Sequence, residues 1–381
     1  TYSRPIFELI CGSKTLKERI SLNYDKTITF SFREHLTSTF KFPKPEKKST
    51  LFINGRIVAN NGLKNNIPLN GEEEIGFFGE DLIFARLSEE TITKLNLSVF
   101  NKETIDKLKM STKCKEVNAR IANYLWDLIN YNKDCLTEDF SNAKINGFLD
   151  DDVTIYGDKS KLNIEEDARV EAGVVLHLET GPIRISKNAI VRAPTIIDGP
   201  CYIGENSLVD GAKIREATTI GNRCKVAGEI ESSIFHSFSN KHHDGFIGHA
   251  YIGEWVNIGA MATNSDLKNN YGKVKVLINN KEINTGNIKV GCFIGDHSKI
   301  GIGALLNTGS VIGFSCNIFG SNLQEKYIPS FSWGSGENLT QYDVNRAIQA
   351  AKAVMARREV VLSDSYEKLI HNIFELTKKE R

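Results

Sequence analysis

An apolar residue recurs at every sixth position through much of the second half of the chain. One set keeps this spacing strictly, the register then slips by one residue, and further sets follow. In order, the sets are Ile185, Val191, Ile197, Ile203 and Val209; Leu208, Ile214, Ile220 and Val226; Phe246, Ile252 and Ile258; and Ile288, Ile294, Ile300, Leu306, Ile312 and Ile318. A period of six is neither that of an α-helix nor that of a half-buried strand.

Steps from an aliphatic residue to glycine accompany this repeat, as in "YIGENS", "TIGNRC" and "YIGEWV". Such a period is typical of a coil of short parallel strands whose apolar residues face a common axis. Glycine suits the corners of the coil, where φ is often positive. The sequence therefore predicts a left-handed parallel β-helix over residues 151–325. The alternative, a β-sandwich, would show a two-residue alternation.

Two polar stretches interrupt the repeat, at residues 227–245 and 263–287. Insertions in a solenoid become loops on one face, which is often the binding face, so we predict a loop at each interruption. The last segment, residues 326–381, has helical periodicity and basic residues near its end. It predicts a helical segment that caps the coil.

The first part of the chain, residues 1–150, lacks the six-residue period. Strand-like runs ("STLFINGRIVAN", "EDLIFARL") alternate there with helical ones ("TIDKLKM", "ANYLWDLINY"). This mixture predicts a separate α/β domain.

Composition narrows the classes of partner. A formal net charge of +1, with acidic and basic residues interleaved, gives no basic field for nucleic acid or an anionic membrane. No apolar run reaches the roughly 18 to 20 residues of a membrane span, and the first residues lack signal-peptide features, which predicts a cytoplasmic protein. The seven cysteines are scattered and form no C-x-x-C pair, so we expect reduced, buried thiols.

The stretch "NKHHDGFIGHAYIGEWVNIGAMATNSDLKNNYGKV" resembles the active-site segment of glucosamine-1-phosphate N-acetyltransferases of the hexapeptide-repeat type. In that family the acetyltransferase half is joined to an N-acetylglucosamine-1-phosphate uridylyltransferase half, and a divergent bacterial branch matches best. The resemblance extends over most of the chain, including "NTGSVIGFSCNIFG" and "IPSFSWG". It implies acetyl-CoA as co-substrate, sugar phosphates and nucleotides as ligands, and a homotrimer with the site between subunits.

The resemblance also implies roles for individual residues. His243 falls at the position of the general base, and Glu229 at that of the carboxylate that orients it. Arg215 matches the arginine that holds the sugar phosphate, Asn257 a sugar-binding asparagine, and Ala260 a position lining the acetyl-CoA site. Two positions depart from the family pattern, because Phe246 replaces a phosphate-binding tyrosine and Glu231 replaces a lysine. Lys241 and Lys268 are candidate replacements, and Lys273 is a third.

The opening residues "TYSRPIFEL" resemble the T-x-x-R-P-K-x-L element of sugar nucleotidyltransferases, with Ile6 in place of the lysine. In that family a glycine-rich loop that binds phosphates precedes this element, and it is not in this chain. The resemblance implies a nucleotidyltransferase-like fold in residues 1–150. If that domain is active, it needs Mg²⁺ to bridge nucleotide phosphates.

The chemistry of acetyl transfer to an amine calls for the same groups. The attacking amine must lose a proton, and a neutral imidazole is a well-matched acceptor. A metal site at "KHHDG" is the other interpretation, but no cysteine or suitably spaced carboxylate completes it, so we predict no metal there. The alternative functions are a sugar-1-phosphate nucleotidyltransferase whose β-helix serves regulation or oligomerisation only, and a non-enzymatic scaffold.

Overall fold

The computed structural model describes residues 1–24, 26, 28–41, 48–95 and 100–381. The chain divides into two compact units. The first unit comprises Thr1, Ser3–Leu9 and Lys14–Asn123, and the second comprises Tyr2, Ile10–Ser13 and Tyr124–Arg381. The sequence predicts a domain boundary at residue 150, whereas the two compact units divide after Asn123.

The first unit is built on a four-stranded sheet, which agrees with the predicted α/β character. In spatial order its strands are Thr50–Ile53, Asp81–Leu87, Glu74–Phe78 and Lys113–Glu116, with the last pair parallel and the others antiparallel. Its α-helices are Leu16–Ser21, Leu63–Asn66, Glu89–Lys94 and Lys102–Ser111, and Ile6–Glu8 and Glu34–Leu36 are short 3₁₀ helices. Two apolar clusters form its core, one including Ile57 and Ile67 and the other Ile75 and Leu108.

The second unit is a parallel β-solenoid, which confirms the predicted β-helix. The strands of its first face are Lys144–Ile145, Leu162–Ile164, Ile183–Ile185, Cys201–Ile203, Thr218–Ile220, Ile234–Phe235, Tyr251–Ile252, Phe293–Ile294, Val311–Ile312 and Tyr327–Ile328. Those of its second face are Phe148–Leu149, Arg169–Val170, Ile190–Arg192, Leu208–Ile214, Lys225–Glu231, Asn240–Lys241, Asn257–Ile258, Lys299–Ile300, Asn317–Ile318 and Ser332–Ser335. Those of its third face are Thr154–Tyr156, Val175–His177, Ile196–Asp198, Phe246–Gly248, Thr263–Asn264 and Leu305–Leu306, and the long strands Leu208–Ile214 and Lys225–Glu231 continue onto this face.

The repeat identifies most of the residues that fill the interior of the solenoid. Ile185, Ile203 and Ile220 are fully buried on the first face, stacked by parallel pairing. At three positions the predicted register was wrong. Val209 rather than Leu208, and Ile247 rather than Phe246, face the interior with no exposed surface, and Ile288 is 51% exposed.

Only one of the two polar stretches contains a segment that projects from the solenoid. Residues 227–245 continue the solenoid through strands Lys225–Glu231, Ile234–Phe235 and Asn240–Lys241, so the loop predicted there was wrong. The second interruption is an excursion, because a β-hairpin of Lys275–Ile278 and Lys281–Asn284 lies between two successive turns.

Helices accompany the solenoid strands in the second unit. Leu125–Asp139 precedes the first turn, Lys159–Lys161 is a short 3₁₀ helix, and Val344–Ala356 and Asp364–Leu376 follow the last strands, with a final 3₁₀ turn at Lys378–Glu380. Strand Asn338–Gln341 pairs antiparallel with the last solenoid strand, so the helical part of the C-terminal segment begins at Val344. Across the described residues, no helix is both long and apolar enough to cross a membrane.

The cysteines are free thiols, and six of the seven are buried. They are Cys11, Cys135, Cys201, Cys224, Cys292 and Cys316. Cys114 is exposed, which the expectation of uniformly buried thiols did not allow for.

The apolar residues that stack inside the solenoid supply a direct test of the fold. Ile164 is fully buried and pairs with Ile145 of the first turn, which is 45% exposed. Ile164→Ala is expected to lower the free energy of unfolding by about 2–5 kcal/mol, because it opens a cavity in a packed interior. Ile145→Ala is the matched control in the same column, and its cost should be below about 1 kcal/mol. Equal losses in urea unfolding would contradict this assignment of the interior.

Candidate active site

His243 lies in the turn 242–245, which joins the solenoid strands Asn240–Lys241 and Phe246–Gly248. Its side chain is exposed, and its ring centroid lies 5.9 Å from that of His242. Within the described ranges, no hydrogen bond or ion pair involves the His243 ring. The imidazole is therefore open to a ligand.

Three nearby histidines, His236, His242 and His249, each lie beside a carboxylate. In all three pairs one ring nitrogen is within 3.4 Å of a carboxylate oxygen, so the ring is held in place by a neighbour in the fold. The pairs are His236 with Glu254 at 3.2 Å, His242 with Asp210 at 3.4 Å and His249 with Asp266 at 2.8 Å. His243 thus differs from them in both exposure and partners.

Glu229 was predicted to orient His243, but its carboxylate pairs with Arg215. Arg215 Nε donates to Glu229 Oε1 at 3.1 Å, and Arg215 Nη1 lies 3.4 Å from Asp198 Oδ2. The hydrogen bond to Glu229 raises the pKa of Arg215. Among the described contacts, none joins Glu229 to the His243 ring. The expected contact therefore stays a prediction.

The strand that carries Glu229 nevertheless runs beside the His243 turn. Glu229 N donates to Gly245 O at 3.0 Å, and a Cβ added to Gly228 would lie 3.0 Å from His243 O. Gly228 has φ of +70°. Its lack of a side chain therefore allows the two segments to approach this closely.

Ala260 and Asn257 lie on the next turn of the solenoid. Met261 N donates to Asp244 O at 2.8 Å, so the corner at Ala260 stacks directly on the His243 turn. Ala260 is half-buried, and Asn257 is exposed in a strand paired with Asn240. The structure therefore brings the predicted general base and the predicted acetyl-CoA position onto adjacent corners.

The two lysines predicted to contact substrate have quite different surroundings. Lys241 is fully buried, and Lys268 Nζ donates to Lys273 O at 2.8 Å. Lys268 also lines an open cavity of about 420 Å³ with neighbouring residues of its loop and with Asn307 and Thr308. Lys268 is thus placed to meet a ligand, whereas Lys241 has no surface that faces solvent.

A cluster that the sequence did not reveal lies on the third face. Glu231, His249 and Asp266 place potential ligand atoms within 4.8 Å of one another. Lys289 Nζ already pairs with Glu231 at 2.8 Å, and His249 with Asp266. Burial alone would raise the pKa of Asp266, but the hydrogen bond from His249 and the charges of His249 and Lys289 lower it. The two carboxylates therefore have cationic or hydrogen-bonding partners within the chain itself.

The spacing of polar residues in the sequence could have indicated part of this cluster. His249 and Asp266 are 17 residues apart, and so are Ser233 and Ala250, which are hydrogen-bonded between adjacent turns. One turn of this part of the coil thus stacks residue i on residue i+17. Searching the polar residues at that spacing would have found the pair.

The opening element is in the first unit apart from Tyr2. Arg4 is buried, with 7% of its surface exposed, and Thr1 Oγ1 donates to Arg4 O at 2.6 Å. Ile6 begins a 3₁₀ helix, and Glu8 at its end pairs with Lys17 at 2.6 Å. The hydrophobic Ile6 thus offers no cation for a nucleotide phosphate.

Comparison with known families finds relatives of parts of the chain. Residues 1–145 match a family model described as sugar nucleotidyl transferase. A bifunctional sugar-1-phosphate nucleotidylyltransferase/acetyltransferase of Sulfurisphaera tokodaii is 29% identical over 197 residues, which is 51% of this chain and 43% of that protein. The bifunctional protein GlmU of Thermotoga petrophila is 29% identical over 206 residues, or 46% of this chain and 43% of that protein.

The chain thus spans less than half the length of these curated relatives. Among solved structures, a UDP-N-acetylglucosamine acyltransferase from Campylobacter jejuni is similar over 56% of this chain and 96% of that one. Its sequence identity is 15% and its TM-score 0.27.

Proposed function

We propose that this chain, a member of the family of bifunctional sugar-phosphate nucleotidyltransferases/acetyltransferases, transfers an acetyl group from acetyl-CoA to the amine of glucosamine-1-phosphate. One observation carries the proposal. The exposed His243 ring lies on a turn that stacks directly against the corner of Ala260. The proposed base and the proposed acetyl-CoA position are therefore adjacent in the solenoid.

In the proposed reaction, the amine of the sugar attacks the thioester carbonyl of acetyl-CoA. The new C–N bond forms, the C–S bond breaks, and the amine proton passes to His243 and then to the departing thiolate. A neutral imidazole is a well-matched acceptor for that proton. The oxyanion that develops needs a hydrogen-bond donor, which a main-chain N–H at a glycine-rich corner can provide.

The sugar phosphate would be held from the neighbouring turns. The side chain of Arg215 is 43% exposed even though it pairs with Asp198 and Glu229, so its guanidinium still has donors open to solvent. Asn257 is exposed on the turn that follows that of His243, and it offers both a donor and an acceptor to sugar hydroxyls. Lys268 at the open cavity is the third candidate contact.

Uridylyl transfer to N-acetylglucosamine-1-phosphate, giving UDP-N-acetylglucosamine, is the proposed activity of the first unit. The match of residues 1–145 to the sugar nucleotidyl transferase family supports this assignment. Mg²⁺ would neutralise negative charge on the nucleotide phosphates in that reaction, while acetyl transfer by His243 needs no metal. The alternative, in which the solenoid serves only regulation or assembly, predicts uridylyl transfer without acetyl transfer.

We propose that the solenoid assembles as a homotrimer. A run of exposed apolar side chains on neighbouring turns supports this assembly, because cyclic packing would cover them. They are Met261, Ile302, Leu305, Phe319, Leu323 and Trp333. Sedimentation equilibrium should therefore give a mass three times that of the 42.5 kDa chain, and a monomer at micromolar concentration would contradict the trimer.

Two assays on the purified chain test the proposed activities separately. The first supplies acetyl-CoA and glucosamine-1-phosphate and follows thiol release. The second supplies UTP, Mg²⁺ and N-acetylglucosamine-1-phosphate and follows pyrophosphate release. A chelator should abolish the second reaction and leave the first unchanged. Absence of thiol release, with pyrophosphate release intact, would favour the alternative function, and loss of thiol release on chelation would overturn the metal-free mechanism.

A further inference from the structure

Lys241 occupies a position that the solenoid otherwise gives to branched apolar residues. Its backbone pairs with that of Val226 on the preceding turn, and pairing of Asn240 with Asn257 places Ile258 over it on the next turn. Val226 and Ile258 are both buried interior residues, and Lys241 is likewise fully buried. A lysine therefore lies among the stacked apolar residues that fill the interior of the solenoid.

The amine of Lys241 is directed to the turn that carries His243. Lys241 Nζ donates to His243 O and to Asp244 O, the latter at 2.6 Å. Burial lowers the pKa of this amine to about 8, and the negative charge of Asp244 opposes the shift. Two N–H donors of the amine therefore bind main-chain carbonyl oxygens of the same turn.

Close packing on both sides completes the enclosure of this turn. A Cβ on Gly245 would lie 3.1 Å from Lys241 Nζ and 2.4 Å from Ala262 O. On the other side, Gly228 leaves room for His243 O. The main chain of the turn is therefore held from the interior and between two neighbouring turns, while the His243 ring remains exposed.

We propose that Lys241 is a positioning residue, which fixes the orientation of the His243 turn by binding two of its carbonyl oxygens from inside the solenoid. The inference rests on the proposed function insofar as that function makes His243 the general base. The stacked neighbours Val226 and Ile258 are apolar, so packing of the interior at this position does not call for an amine. An accurately placed base, by contrast, does require a fixed turn.

The test compares Lys241→Met with a matched control, Lys299→Met. Methionine has nearly the length of lysine and no donor. Lys299 is the appropriate control because its Nζ also donates to two carbonyl oxygens, Trp255 O at 2.6 Å and His297 O at 2.9 Å. Burial lowers the pKa of Lys299 to about 8 as well, but its amine does not bind the His243 turn.

The first measurement is hydrogen exchange of the Glu229 and Met261 amides, which donate to Gly245 O and Asp244 O. In Lys241→Met both should exchange about tenfold faster, since the turn that accepts their hydrogen bonds has lost a charged donor. In Lys299→Met they should exchange as in the wild type. Lys241→Gln, which keeps an amide donor, should lie between the wild type and Lys241→Met, and serves as the second variant if the methionine variant does not fold.

The second measurement is steady-state acetyl transfer. Lys241→Met should lower kcat about 10- to 100-fold and leave the KM for acetyl-CoA unchanged, because the base is displaced and the binding surface is not. Lys299→Met should keep both values. Unchanged exchange of the two amides in Lys241→Met, or faster exchange in every turn of the solenoid, would overturn the proposal. If the wild type transferred no acetyl group, the proposed function would fail, and the exchange data would still decide the role of Lys241.

Discussion

Replacing His243 with alanine is expected to lower kcat for acetyl transfer about 10²- to 10⁴-fold, the range typical for loss of a general base. The ring is exposed and has no described hydrogen bond, so its removal should change the free energy of unfolding by less than about 0.5 kcal/mol. This variant should therefore lose activity while its free energy of unfolding stays nearly unchanged. Steady-state kinetics and urea unfolding on the same preparation measure both.

His242→Ala is the matched control for this substitution. His242 is the adjacent residue on the same turn, but its Nε2 lies 3.4 Å from Asp210 and its ring is half-buried. We expect turnover in His242→Ala to stay near the wild-type value. Added zinc should not restore His243→Ala, because the proposed mechanism uses no metal. An equal loss of kcat in the two variants would place the base elsewhere.

Alkaline pH is expected to destabilise the solenoid steeply from pH 8.5 upward. Burial raises the pKa of four thiols: those of Cys224 and Cys292 to about 12, that of Cys316 to about 11, and that of Cys201 still higher. In the unfolded chain a thiol ionises near pH 8.5. A raised folded-state pKa contributes stability that is complete below pH 8.5 and is lost as the pH rises. Each buried thiol should therefore lower the free energy of unfolding by about 1.4 kcal/mol for every pH unit above 8.5.

Two buried lysines act in the opposite direction. The folded-state pKa values of Lys241 and Lys299 are lowered to about 8, so these groups increase stability as the pH rises from 8 toward the unfolded value near 10.4. Together, these four thiols and two lysines contribute a net loss of about 2.7 kcal/mol per pH unit between pH 8.5 and about 10. Urea unfolding at stepped pH in the presence of a reductant measures this slope.

Single cysteine variants show which thiols produce the slope. Cys292→Ala should reduce the slope of stability against pH by about 1.4 kcal/mol per pH unit. This change in slope is independent of any stability that the new cavity removes at neutral pH. Cys114→Ala is the control, since that thiol is exposed. A slope unchanged in Cys292→Ala, or one reduced equally in Cys114→Ala, would contradict the assignment to buried thiols.

The six-residue period predicted the solenoid because burial of one apolar residue per strand is a direct consequence of its geometry. It did not distinguish Val209 from Leu208 or Ile247 from Phe246. Each pair contains two adjacent apolar residues, and periodicity alone does not say which one faces inward. Residues 227–245 were predicted to form a loop because they are polar and the six-residue repeat pauses there. One of the interior positions in this stretch is Lys241, and a lysine is almost never fully buried without partners.

The candidate site was predictable from the sequence only in part. The resemblance singled out His243 and Ala260, which the structure places on adjacent corners. The pairing of Glu229 with Arg215 was not foreseen. Side-chain pairing between turns depends on how many residues each turn contains. That number is 17 between His249 and Asp266 but 16 between Lys213 and Glu229.

Direct identification of the product is the most decisive measurement of the central claim. Wild type and His243→Ala are incubated with acetyl-CoA and glucosamine-1-phosphate, and the sugar phosphate is analysed by mass spectrometry. We predict N-acetylglucosamine-1-phosphate in amounts equal to the thiol released by the wild type, and a rate about 10²- to 10⁴-fold lower with His243→Ala. No acetylated product from the wild type, or the same rate from both proteins, would contradict acetyl transfer at the His243 turn.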